Sequence, residues 1–237
     1  MLKLIHADLY KTFHRAYYFV MILLISALCV ALIFALRGGQ YGNWSVSADC
    51  AVSMLSYPVL LLPMITQIVS AEEYRDHTLK NTLSFGTNRT ALYVSKWVTA
   101  VLLGVLLTAI VLAVYFGSTA MVLTKDAAFK GFGEFFIRLG ASCSVYLACI
   151  SMSLFFIALF NRSTLAIFLY YGVFYLTDLL LKLAHLNKGI DYLLKTQINN
   201  ICAVPVAQLQ KPVVISLVTM AVFFVAGLAI FRKKDLC

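Results

Sequence analysis

Ser70-Ala71-Glu72-Glu73-Tyr74-Arg75-Asp76-His77-Thr78-Leu79-Lys80-Asn81-Thr82-Leu83-Ser84-Phe85-Gly86 parts two apolar runs, Cys50–Val69 and Trp97–Thr119, neither of which holds a charged residue. Glu72, Glu73, Arg75, Asp76, His77 and Lys80 crowd between positions 72 and 80, so the segment cannot lie in hydrocarbon, where each ionised side chain costs several kcal/mol. Its two ends read as helix signals. Ser70 and Glu73 have the spacing of a capping box, in which a hydroxyl and a carboxylate each accept from a free backbone N–H. Glu72 and Glu73 suit the positive end of the helix dipole, and Gly86 supplies a left-handed stop. The expectation is a short capped helix over 70–86, outside a membrane and held between two spans.

Composition agrees with the membrane. Of 237 residues, 62% are hydrophobic and 12% charged, and mean hydropathy is +0.90, whereas soluble domains carry about 25% charged residues. The net charge of +9 falls at the flanks of apolar runs, where basic groups meet headgroups and set orientation. No basic patch with interleaved aromatics stands apart from those flanks, which excludes nucleic acid as a partner. None of the six cysteines forms a C-x-x-C pair, and the four histidines lack metal-ligand spacing. Cys50 and Cys202 both fall in expected exterior loops, which leaves a disulfide between them open. The first apolar run, about 20 residues long, exceeds a signal-peptide core and has no A-x-A site after it.

Outward from the opening stretch, six runs are long enough to cross a bilayer at about 20 residues each: Tyr17–Leu36, Cys50–Val69, Trp97–Thr119, Leu139–Phe160, Thr164–Leu183 and Pro212–Phe231. The expected fold is therefore an all-α membrane protein, one six-span domain over 1–237. Residues 1–16 read as an amphipathic helix in the interface plane, with Leu2, Ile5, Leu9, Phe13 and Ala16 on one face and Asp8, Lys11 and Arg15 opposite. An even number of spans puts both termini on one side. With the termini inside, interior segments hold eleven Lys and Arg and exterior ones eight, which favours cytoplasmic termini. The exterior loop 184–211 is half apolar and long, so partial re-entry into the outer leaflet is expected as an alternative to lying on headgroups. No internal repeat or linker is evident.

The chemistry of the chain is sparse. The phosphate-cradling G-x-x-x-x-G-K-[ST], the zinc-binding H-E-x-x-H and the nucleophile elbow G-x-S-x-G are all missing. Glu72-Glu73 with Arg75 only superficially matches the E-E-x-x-x-R of intramembrane proteases, since the arginine comes two positions early. The chain is therefore expected not to be an enzyme. An ion channel or secondary transporter is the alternative, and an intramembrane hydrolase the weaker one. Asp178, the one acidic residue inside a run, reads first as an interfacial ion pair with Lys182 and second as a substrate or proton site. Pro58 and Pro63 in the second run free backbone carbonyls that neighbouring helices or a water-lined cavity must satisfy. With Thr66 and Gln67 they make one candidate wall of a translocation path, and Tyr171, Tyr175 and Asp178 of the fifth run make the other.

Glu73-Tyr74-Arg75-Asp76-His77-Thr78-Leu79-Lys80, then Leu83, Asn88-Arg89 and Ser95-Lys96 leading into a span, resembles the ABC-2 type permease family. The ending Phe231-Arg232-Lys233-Lys234-Asp235 is similar to that family's ending too. His77 departs from it, since glycine is common at that place. The resemblance implies that 70–86 is a coupling helix seated in a groove of a separate ATPase, with Glu73, Thr78, Leu79 and Leu83 at the contact. It implies two copies of this permease and two of the ATPase, which binds the ATP and Mg that this chain does not. The expected role is the membrane subunit of an exporter in a bacterial plasma membrane, of Gram-positive type. The lack of a large exterior domain, with walls of aromatics and aliphatics, favours an amphipathic or hydrophobic cargo, a membrane-active peptide or peptide antibiotic above all.

Overall fold

The computed structural model describes residues 1–38, 50–71, 88–123, 132–160, 163–185 and 187–233. Six helical stretches are long and apolar enough to cross a membrane: Ala16–Arg37, Cys50–Ser70, Arg89–Val122, Gly133–Phe160, Thr164–Leu183 and Val206–Lys233. No strand occurs among the described residues. The protein is an all-α, multi-pass membrane protein. Of the expected coupling helix only Ser70 and Ala71 fall within the description; Glu73, Thr78, Leu79 and Leu83 lie outside the described residues.

The fourth span is the hub. In its most apolar stretch 72% of residues are buried, against 11% in the first and the last spans. The second, third, fifth and sixth spans and a later short helix all pack on it. Its sequence explains this. Ser142, Ser144, Ala148, Cys149, Ser151 and Ser153 are all buried, and small side chains let helix backbones approach where hydrophobicity alone gives no drive to associate. The serines do not orphan their hydroxyls in doing so. Ser142, Ser144 and Ser151 each donate to a carbonyl one turn back, at 2.7–2.9 Å.

The third span, Arg89–Val122, starts eight residues before its apolar run. Its 34 residues extend about 51 Å at 1.5 Å per residue, well beyond a hydrocarbon core of about 30 Å. Asn88 caps it, its side-chain oxygen accepting from Thr90 N at 3.0 Å. This overhang receives the N-terminal helix, Leu2–Phe13. The faces of that helix differ from the sequence expectation. Asp8 and Thr12 point inward, 6% and 1% exposed, while Leu2 is 83% exposed. The cause is Lys96, buried on the third span, whose Nζ lies 2.8 Å from Asp8 Oδ1. A buried ammonium needs a counter-charge more than the helix needs to hide a leucine that lipid also accommodates. On the first span, Tyr18 donates to Leu103 O of the third at 3.3 Å. At the same end of the bundle, Arg89 donates to Arg232 O in the last turn of the sixth span at 2.9 Å.

Candidate translocation site

The second span is broken where its prolines require it. Helix from Cys50 gives way to turns at 55–57, resumes over Pro58–Thr66 and ends in a π-helical turn, Gln67–Ala71. Proline at 63 has no N–H, so the carbonyl of Val59 loses its usual partner. Tyr170 of the fifth span supplies one, its hydroxyl donating to Val59 O at 3.0 Å. Tyr171 donates to Leu60 O at 2.5 Å, and Tyr146 of the fourth span to Leu55 O at 2.5 Å. Thr66 donates to Pro63 O at 2.8 Å and lies 2.5 Å from Ser153 Oγ. The carbonyl that Pro63 frees is thus satisfied by a neighbouring helix, while Met54 O, four before Pro58, accepts from Tyr57 N at 3.2 Å. Pro58, Pro63 and Thr66 are buried in that seam, and Gln67 is half-buried at its end.

The fifth span carries a second irregularity. Ser163–Tyr171 and Thr177–Leu183 are α-helical, and Gly172–Leu176 between them is a π turn. Ala166, Tyr170, Phe174 and Asp178 are all buried, every fourth residue. On a straight α-helix a four-residue step drifts by about 40°, and the wider π turn takes part of that drift back, so one face stays inward. The rings of Tyr170 and Phe174 consequently stack, 9° from parallel with centroids 5.8 Å apart. Tyr171 meets the second span, whereas Tyr175 is 39% exposed and turns toward the loop after the span. The seven sequence-expected path residues thus fall into two groups. Pro58, Pro63, Thr66, Gln67 and Tyr171 belong to the second span and the seam it makes with the fourth and fifth spans, while Tyr175 and Asp178 belong to a charged cluster at one end.

That cluster involves residues the sequence did not single out. Asp178 Oδ2 lies 2.7 Å from Lys195 Nζ, and Lys182 Nζ lies 3.1 Å from the same carboxylate. The expected ion pair with Lys182 is present, joined by a second lysine. Lys195 sits also over the ring of Tyr175, 5.3 Å from its centroid, a cation–π contact. It belongs to a ten-residue helix, Leu194–Ala203, in the long loop. Leu194, Gln197, Ile198 and Ile201 of that helix are buried, against the fourth and sixth spans. Its far end is pinned by Arg138 of the fourth span, which donates to Ile201 O at 2.5 Å and Cys202 O at 3.2 Å. A guanidinium on the last carbonyls of a helix satisfies groups that have no intrahelical partner and complements the dipole. Cys202 donates to Val52 O at 3.3 Å, and no disulfide joins it to Cys50. Burial pushes the Cys202 thiol up, against the opposing pull of Arg138. The signal in the sequence was the placement of Arg138 and Lys195, cations beside apolar runs that loop counting treats only as topology markers.

Under this helix lies a cavity of about 170 Å³, lined by Val173 and Phe174 of the π turn, Met152, Phe223 and Lys195 among others. None of the seven path residues lines it.

A comparison with protein families matches residues 46–232, nearly four-fifths of the chain, to the multidrug efflux system permease Rv1217c, C-terminal domain. No curated protein matches the chain. The match runs from the loop before the second span to the last turn of the sixth, and so takes in the proline seam, the fourth-span hub and the lysine cluster alike. By that coverage the chain belongs to the multidrug efflux permease family typified by the C-terminal domain of Rv1217c.

Proposed function

We propose that the protein is the membrane subunit of an ABC exporter of the ABC-2 type, working as a pair of copies with two separate ATPase subunits. The observation that carries this reading is the charged segment 72–80, set between two spans in a chain without a phosphate-binding motif. An efflux permease that cannot bind ATP needs an outside source of work. Ser70, Arg89, the N-terminal helix and the last turn of the sixth span gather at one end of the bundle, so the segment issues from beside the helix that Asp8 ties to Lys96. In the sequence, Thr78, Leu79 and Leu83 bring methyl and isobutyl groups into a charged stretch, which suits a groove on a partner. Glu73 falls where the sequence signals put the first turn of a helix. The cargo is amphipathic or hydrophobic, a membrane-active peptide or peptide antibiotic in the favoured case, and the setting is a bacterial plasma membrane.

The test is co-expression with the ATPase that accompanies this chain. Leu79→Asp or Leu83→Asp should abolish co-purification or leave ATP hydrolysis unstimulated by cargo, with the permease still folded. If both variants bind and stimulate the ATPase like the parent, the coupling role of 70–86 is wrong. If the parent chain purifies without any ATPase and moves cargo along an ion gradient, the secondary-transporter alternative takes its place.

A further inference from the structure

The cavity beneath the Leu194–Ala203 helix joins features from four elements. Met152 comes from the fourth span, Val173 and Phe174 from the π turn, Phe223 from the sixth span, and Leu194 and Lys195 from the loop helix. π turns recur at functional sites, and a methionine wall adapts to varied apolar shapes. Lys195 is the one charged side chain in the lining. Tyr192 beside it in the lining is 67% exposed, which gives that side of the cavity access from outside the protein. At about 170 Å³ it matches the size of engineered apolar cavities, about 150 Å³, that accept benzene.

The charge arrangement at the mouth favours one sign of ligand. Two ammonium groups, Lys195 and Lys182, share the single carboxylate of Asp178. An incoming anion that takes Lys195 leaves Asp178 still paired with Lys182, so no buried charge is stranded. An incoming cation would meet Lys195 head on, and the carboxylate of Asp178 is already held by two lysines. We infer that this cavity binds a compact, phenyl-sized apolar group carrying an anionic head, with Lys195 selecting the sign of the charge. This deepens the permease reading by naming a cargo class, but it concerns binding to this chain alone and needs no ATPase.

The experiment is equilibrium binding to the full chain in lipid nanodiscs, with empty nanodiscs subtracted, using 3-phenylpropionate, 3-phenylpropanol and 3-phenylpropylamine. The three share a ring and chain and differ in head charge. The expected order is acid, then alcohol, then amine, with the acid about fivefold tighter than the alcohol, the ratio a partly exposed ion pair yields. Lys195→Met should remove that preference and leave the alcohol unchanged, while Lys195→Arg should keep it. Asp178→Asn should tighten the acid, because Lys195 loses its resident partner. Val173→Phe, which fills the cavity, should weaken all three. Equal binding of the three analogues to the parent chain overturns the inference, as does a preference that survives Lys195→Met or binding that ignores Val173→Phe. The parent-chain comparison decides even if a variant fails to fold. Because ATPase co-purification is read separately, its failure would leave this result standing, and the reverse.

Discussion

At the scale of single residues, the described glycine with least room for a side chain is Gly227 of the sixth span, against Tyr93 of the third. A Cβ built on Gly227 would lie 2.2 Å from the Tyr93 hydroxyl and 3.1 Å from its Cζ. The sixth span reaches the third only because position 227 has no side chain. The rings of Phe224 and Phe231 then close on Tyr93, with centroids 5.7 and 5.6 Å away. The hydroxyl itself is buried and meets no hydrogen-bond partner among the described residues. Gly227→Ala should therefore lower the Tm of the solubilised protein, because overpacking of about 1–3 kcal/mol outweighs the roughly 1 kcal/mol that alanine gains over glycine in a helix. Tyr93→Phe alone should leave the Tm within a degree or two, since it removes an unsatisfied group. In the double variant the loss from Gly227→Ala should shrink measurably. An undiminished loss would mean that the clash is with Phe155 Cα, 3.4 Å from the built Cβ, and not with the tyrosine.

At the scale of elements, the two irregular spans hold each other in register. The second span is bent by prolines that leave carbonyls open, and the fifth is re-phased by a π turn that keeps Tyr170 on the inward face. Tyr170→Phe should cost about 1–3 kcal/mol, the usual loss when a buried carbonyl is left without a donor. In a Pro63→Ala background the backbone N–H returns to Val59 O, so the same change should cost clearly less. Unfolding of the four proteins of this cycle in a mild detergent–denaturant series gives the coupling, and a coupling of zero would detach Tyr170 from the proline. Much of this architecture was legible beforehand. Runs of about 20 apolar residues report spans directly, and prolines report open carbonyls. The donors were not legible, because Tyr170 and Val59 lie 111 positions apart and tyrosines near a span end read equally well as interfacial anchors. The N-terminal helix shows the same limit. Its period was visible, but which face turns inward depended on Lys96, 88 positions away. The third span's polar first turns, Arg89 to Lys96, were invisible to hydropathy because the burying partners are helix ends, not lipid. The loop helix was half seen, its apolar residues noticed and its polar tethers, Lys195 and Arg138, not.

At the scale of the whole molecule, the six spans alternate so that the two ends differ in character. The N-terminal helix, Ser70, Arg89 and the end of the sixth span share one end; the loop helix, Asp178 and Arg138 share the other. The first end holds eleven of the nineteen lysines and arginines, by a count that includes residues in the connecting segments. At the second end, two of the eight are engaged on Asp178 and a third, Arg138, on Glu134 and the loop helix. Cations are tied to protein groups at the first end too, Lys96 on Asp8 and Arg89 on Arg232 O, so the excess of eleven over eight carries the orientation by itself. The first end should therefore face the cytoplasm. In a cysteine-free background, Tyr192→Cys should react with a membrane-impermeant maleimide on intact cells, and Lys3→Cys only after permeabilisation. Both positions are exposed, so neither result hinges on burial. The opposite pattern would put segment 72–87 outside, away from ATP, and with it remove any route by which a cytoplasmic motor could drive this permease. Labelling of both positions from outside would require an even number of crossings between them, so that one of the first five helices, of which the first is the most exposed, lies along the membrane instead of crossing it.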